Sequence, residues 1–108
     1  MSLFGRLLGR DTFGRARVVV KGRVTDGGFH LYAGKVAQHR DLSGWLRVKD
    51  AFSSAPYLEI EVEGERPQLK NYILDLRKGT PDNPHITHVS IQWLEGDKRT
   101  HSGFKIFS

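Results

Sequence analysis

Between Tyr57 and Leu76 the apolar residues change their spacing once, and that change narrows what the chain can fold into. Leu58, Ile60 and Val62 recur at every second position, with Glu59, Glu61 and Glu63 between them. Such alternation is the pattern of a strand with one buried face and one face in water. Gly64-Glu65-Arg66-Pro67 turns the chain. Leu69, Tyr72, Ile73 and Leu76 then follow at i, i+3, i+4 and i+7, one apolar face of a helix, and Gly79 is placed to stop it. A one-sided strand followed at once by a one-sided helix puts the chain in the α+β class.

The remaining segments complete the order. Arg17-Val18-Val19-Val20-Lys21 reads as a β-branched strand that ends at Gly22. Phe29, Tyr32, Ala33, Val36 and Ala37 make a first amphipathic helix ending near Asp41. Trp45 to Lys49 alternates as a strand, and the stretch from Ala51 to Pro56 is a loop by composition. Thr80-Pro81-Asp82-Asn83-Pro84 is another loop, after which Thr87, Val89, Ile91 and Trp93 alternate with His88, Ser90 and Gln92. Glu95-Gly96-Asp97-Lys98 reads as a hairpin turn, and Phe104 to Phe107 as a last short strand. The order is β-α-β-β-α-β with an extra C-terminal strand. It predicts a ferredoxin-like sandwich, an antiparallel sheet with two helices on one face and right-handed crossovers.

With 108 residues, one domain is expected. The lack of cysteine excludes a disulfide scaffold, a thiolate zinc site and a cysteine nucleophile, and fits a cytoplasmic protein. The longest apolar run, Val18-Val19-Val20, is far short of the roughly 20 residues of a membrane span. The net charge of +5 is unevenly placed: residues 1–23 hold six basic side chains and one acid, 6 − 1 = +5, whereas residues 24–108 hold 11 of each sign. A basic N-terminal arm (1–14) before a domain (15–108) follows, with polyanion contact through the arm as one reading. His85 and His88 fall on opposite strand faces and lack acidic partners at ligand spacing, so no metal is expected.

The segment from strand to first helix carries the chemistry. Gly22-Arg23-Val24-Thr25-Asp26-Gly27-Gly28-Phe29-His30 is a glycine-rich turn into a helix N-terminus, where backbone N–H groups and the helix dipole suit an anion. The chain here resembles the acylphosphatase family, whose loop has the form Gly-x-Val-Gln-Gly-Val-Gly-Phe-Arg. Gly22, Val24, Gly28 and Phe29 stand where that pattern wants them. Ala37, Leu42, Gly44, Trp45 and Arg47 follow in the same register, and the likeness runs over about residues 17–107.

The resemblance implies hydrolysis of carboxyl-phosphate anhydrides without a cofactor. The loop N–H groups and its final arginine cradle the phosphate, and an asparagine on the second strand orients the attacking water. The arginine position is His30 here, the asparagine position is Val48, and the loop's Gln and first Gly are Thr25 and Asp26. His30 lacks the guanidinium's permanent charge and paired donors. Val48 has no polar atom to hold a water, and Asp26 brings a carboxylate to an anion's cradle. The expectation is therefore an acylphosphatase-like module that binds a small phosphate-containing ligand or a protein through Arg23, Thr25, Asp26, Gly27, Gly28 and Phe29 and has lost efficient catalysis. The alternative is a working acylphosphatase in which His30 and Arg23 share the phosphate. A monomer or weak dimer is expected. Nucleic acid on the sheet is disfavoured: Gly103-Phe104-Lys105-Ile106-Phe107 lacks the aromatic spacing of RNA-binding sheets, and the third strand is acidic.

Overall fold

The structure, a computed structural model, describes residues 13–25, 28–79, 86–96 and 98–107. Alternating and helical apolar patterns become strands β1 (Phe13–Gly22), β2 (Ser43–Lys49), β3 (Tyr57–Glu65), β4 (Ile86–Leu94) and β5 (Phe104–Phe107) and helices α1 (Phe29–His39) and α2 (Arg66–Lys78). The strands form one sheet in the order β4-β1-β3-β2-β5. β1 is antiparallel to β3 and β4, and β2 is antiparallel to β3, as the two crossovers require. β5 runs parallel to β2, so the complete sheet is mixed.

One face of the sheet carries the core. Val18, Val20, Leu46, Leu58, Ile60 and Val62 are wholly buried, in rows set by the strand registers, beneath the apolar faces of α1 and α2. Tyr72 of α2 is also buried, and its hydroxyl donates to the Ala33 carbonyl of α1 at 2.8 Å, tying the helices together. Burial, and then the nearby Asp75 and Tyr32, push that phenol far above its ordinary pKa, so it stays a neutral donor. Tyr72→Phe removes the bond and keeps the ring, with an expected loss of about 1 kcal/mol in chemical denaturation. Asp41, at φ 59, ends α1: the N–H of Leu42 reaches back to Ala37 at 3.0 Å, a helix stop usually made with glycine.

Three expectations change. β1 begins at Phe13, paired with Glu65, so Phe13 and Gly14 join the sheet and not the arm; residues 1–12 lie outside the described residues. Arg15, Arg17 and Lys21 thus stand on a strand that lies between β3 and β4. The chain after β4 makes no hairpin, because β4 and β5 lie on opposite edges of the sheet. The connection between them crosses the face away from the helices, where Arg15 bonds the Glu95 carbonyl at 3.0 Å and the N–H of Gly44 bonds the Gly103 carbonyl at 2.9 Å.

The third change concerns the acidic ladder, which does not face water throughout. Glu63 is fully buried under the crossing segment. It accepts hydrogen bonds from the N–H groups of Thr100 and His101, both at 2.8 Å, from the Thr100 hydroxyl at 2.8 Å and from Ser43 at 3.2 Å. Glu61 is held by Arg17 at 2.7 Å and by His101 Nε2 at 2.6 Å. Burial pushes both carboxyls up, but the hydrogen bonds they accept outweigh it and leave both below their ordinary values. A carboxylate with a lowered folded pKa stabilises the fold fully above the unfolded value and loses that contribution as pH falls through the folded value. Stability should therefore decline below about pH 4.3, and the Glu63→Gln variant should lose less on acidification while starting lower at pH 7. Thermal melts across pH check both.

Candidate functional site

The loop after β1 is built by two anchors in the core. The pairing of β1 with β4 shifts between Lys21 and Gly22, and the N–H of Val24 bonds the Gly22 carbonyl at 2.9 Å to form a tight turn. Val24 is then fully buried, as is Phe29, whose ring lies 6.0 Å from that of Tyr32. Thr25, after the first anchor, is exposed. Gly28, before the second, has φ 70 and ψ 22, the left-handed region that glycine adopts without cost. It caps α1 with no side-chain hydrogen bond and no acidic residue in the first turn. Among the described residues, then, no cap side chain meets the first N–H groups of the helix, and its first turn holds no acid against the positive end of its dipole.

His30 follows Phe29 at the rim, half-buried, and its Nδ1 is shielded from solvent with no hydrogen-bond partner among the described residues. Thr25 and Arg23 are exposed on the loop. Asp26 and Gly27 lie outside the described residues. Phe29 adds only its backbone to the site, because its side chain belongs to the core.

Val48 lies at the same end of the sheet. Register places Val48 opposite Leu58 and Leu58 opposite Val20, two residues before Gly22, so Val48 is two strand spacings, roughly 10 Å, from the path into the loop. It shares the helix-facing side with Leu46 and packs against the core cluster. The structure thus brings Gly22, the start of α1 with His30, and the apolar side chain of Val48 to one end of the domain.

Two cavities flank this region. A cleft of about 830 Å³ opens on the face away from the helices, lined by Lys21, Gly22, Arg23, Ser54, Tyr57 and Thr87 among others. A groove of about 580 Å³ lies between the helices, where Arg40 is held by Asp75 at 2.8 Å and Gln68 at 3.0 Å; no loop residue lines it. Among the described residues no group of three or more His, Asp or Glu is placed to hold a metal ion, and no helix is long and apolar enough to cross a membrane.

This fold and loop define a class. The acylphosphatase family model matches residues 16–106, and the chain belongs to the acylphosphatase family. It is 29% identical over 92 residues to an acylphosphatase of Bacillus licheniformis, covering 85% of this chain and 92% of that one. The crystal structure of acylphosphatase from Bacillus subtilis superposes with a TM-score of 0.73 at 27% identity, covering 85% of this chain and 96% of that one. The chain is also similar to one segment of HypF. A full-length HypF crystal structure, in its phosphate- and nucleotide-bound form, matches with a TM-score of 0.66 at 25% identity over 87% of this chain and 12% of that one. The HypF of Methanocaldococcus jannaschii is 28% identical over 82 residues, and the chain spans 10% of its length.

Loop composition marked the turn at Gly22, whereas His30 and Val48 were singled out only by the family resemblance. The partners of Glu61 and Glu63 were marked by neither, because Thr100 and His101 reach them through a long crossing with no local pattern of its own.

Proposed function

We propose that this acylphosphatase-family domain binds a small phosphate-bearing ligand at the loop between Gly22 and His30 and has lost efficient hydrolysis. The observation that carries the reading is the place of Val48. It is partly buried against the core two strands from the path into the loop, at the position where the family uses an asparagine to orient water, and its side chain offers no donor or acceptor. Positioning of the nucleophile is worth several powers of ten in rate, so its loss falls on turnover more than on binding. Binding draws support from the α1 N-terminus, which no described side chain caps, and from His30 Nδ1, unpaired among the described residues, which a phosphate oxygen would satisfy. Arg23, on the exposed part of the loop, supports a second reading in which it and His30 share the phosphate in a working hydrolase.

Titration with inorganic phosphate, followed by amide NMR, tests the binding half. The N–H signals of Val24, Thr25, Phe29 and His30 should shift together and saturate in the millimolar range, and His30→Ala should weaken the effect about tenfold. Shifts confined to other parts of the domain would remove the loop from the account.

A further inference from the structure

The sheet face away from the helices holds more positive charge than the sequence order revealed. Residues that alternate with the buried ones place Arg15, Arg17 and Lys21 of β1, Arg47 and Lys49 of β2 and Lys105 of β5 on it, against Glu59, Glu61 and Glu63 of β3. Two of those three carboxylates are already used: Glu63 is buried under the β4–β5 crossing, and Glu61 is bonded by Arg17 and His101. Arg17 and the third, Glu59, approach at 3.6 Å. The acidic strand that seemed to disfavour nucleic acid is therefore largely neutralised within the fold, while Lys21, Lys105 and Arg47 remain exposed.

Aromatic rings lie among these cations. The Arg17 guanidinium sits 5.6 Å from the Trp45 ring centroid, and that of Arg47 sits 5.2 Å from the same ring and 5.3 Å from Phe107. The result is a strip of guanidinium–ring contacts, Arg17–Trp45–Arg47–Phe107, running from β1 to the β5 edge. Phe107 is 41% exposed, although a large ring on an otherwise charged face gains nothing from water. The strip exists only because β5 pairs in parallel with β2 and sets Phe107 directly beside Arg47. At its lower end lies the cleft lined by Lys21, Arg23 and Tyr57.

We propose that the part of this face around Arg47 and Phe107, beside the β4–β5 crossing, binds single-stranded nucleic acid, with bases stacking on Phe107, Arg47 and Trp45 and phosphates meeting Lys21, Lys49 and Lys105. Unpaired bases have flat faces of the size of these rings, and guanidinium planes stack on them equally well. A folded acidic protein would satisfy the lysines but would leave the strip without a flat partner. The stack itself tolerates any base, so weak sequence preference follows.

The test is fluorescence anisotropy of labelled oligouridine and oligothymidine, about 12 nucleotides each, with the full chain at about 50 mM salt. Binding of either oligomer is expected, with Phe107→Ala and Arg47→Ala each about 5- to 100-fold weaker. Lys105→Glu, on an exposed position, should weaken binding and lower the salt slope by about one, so the test survives if a ring or arginine variant fails to fold. Lys70→Glu, an exposed change on α2 across the domain, should bind like the wild type, which ties binding to this face rather than to surface charge in general. No binding at low salt would overturn the proposal. So would equal affinity for duplex DNA or polyglutamate, or binding that ignores Phe107 and Arg47 but vanishes when residues 1–12 are deleted.

Discussion

Replacing His30 by Arg and Val48 by Asn together should raise benzoyl phosphate hydrolysis by about 100- to 1,000-fold over the wild type. The arginine returns two parallel charge-assisted donors at the start of α1, aimed where the phosphate's negative charge is greatest. The asparagine returns a group able to hold and orient water at the same end of the sheet, two strands from the loop. Groups that act as a unit are far from additive, so each single variant should gain less than about tenfold. The asparagine also puts an amide where Val48 packs on the core, with an expected stability cost of about 1–3 kcal/mol in the absence of ligand. Steady-state assays of the two single variants and the double variant, beside their denaturation curves, check both parts. A double variant no faster than the wild type, yet folded, would show that the loop itself departs too far from the family's cradle.

Gly44→Ala should cost about 3–5 kcal/mol, enough to leave much of the protein unfolded at ordinary temperature. Gly44 lies in β2 at φ 137, a region closed to residues with a side chain. A Cβ built there overlaps the carbonyl oxygen of Glu61 in the neighbouring strand and stands 3.1 Å from the Val62 Cα. That strand's backbone cannot step aside as a flexible side chain would. The damage would not stay local, because the N–H of Gly44 also bonds the Gly103 carbonyl at 2.9 Å, where β5 begins its pairing. Urea denaturation measures the loss, and loss of the strip formed with Phe107 should accompany it.

The elements were legible because each has one buried face, and burial imposes its period on the residues. Leu58, Ile60 and Val62 could be assigned to one side of a strand, and Leu69 to Leu76 to one side of a helix, without knowing any neighbour. The turn at Gly22 and the helix start at Phe29 were legible for the same reason: a buried Val24 and Phe29 bracket a glycine-rich stretch. What stayed hidden depends on which strands meet. Glu95 to Lys98 has the composition of a hairpin turn, and only the sheet order shows that the chain must cross to the far edge. That crossing buries Glu63, a residue whose parity alone places it in water. Trp45 and Arg47 were visible as one face of a strand, but their partner Phe107 arrives from the chain's other end through parallel pairing. The uneven charge was partly legible, since Arg17 and Lys21 already read as strand residues, and the structure adds Arg15 to the same strand.

The central claim is that the loop keeps its anion and has lost the reaction. Hydrolysis of benzoyl phosphate by the wild-type protein, measured in the sample whose loop amides respond to inorganic phosphate, tests it most directly. The account predicts saturable phosphate shifts at Thr25 and His30 with a hydrolysis rate indistinguishable from buffer. A rate far above buffer that collapses on His30→Ala would contradict it and make the protein a working acylphosphatase.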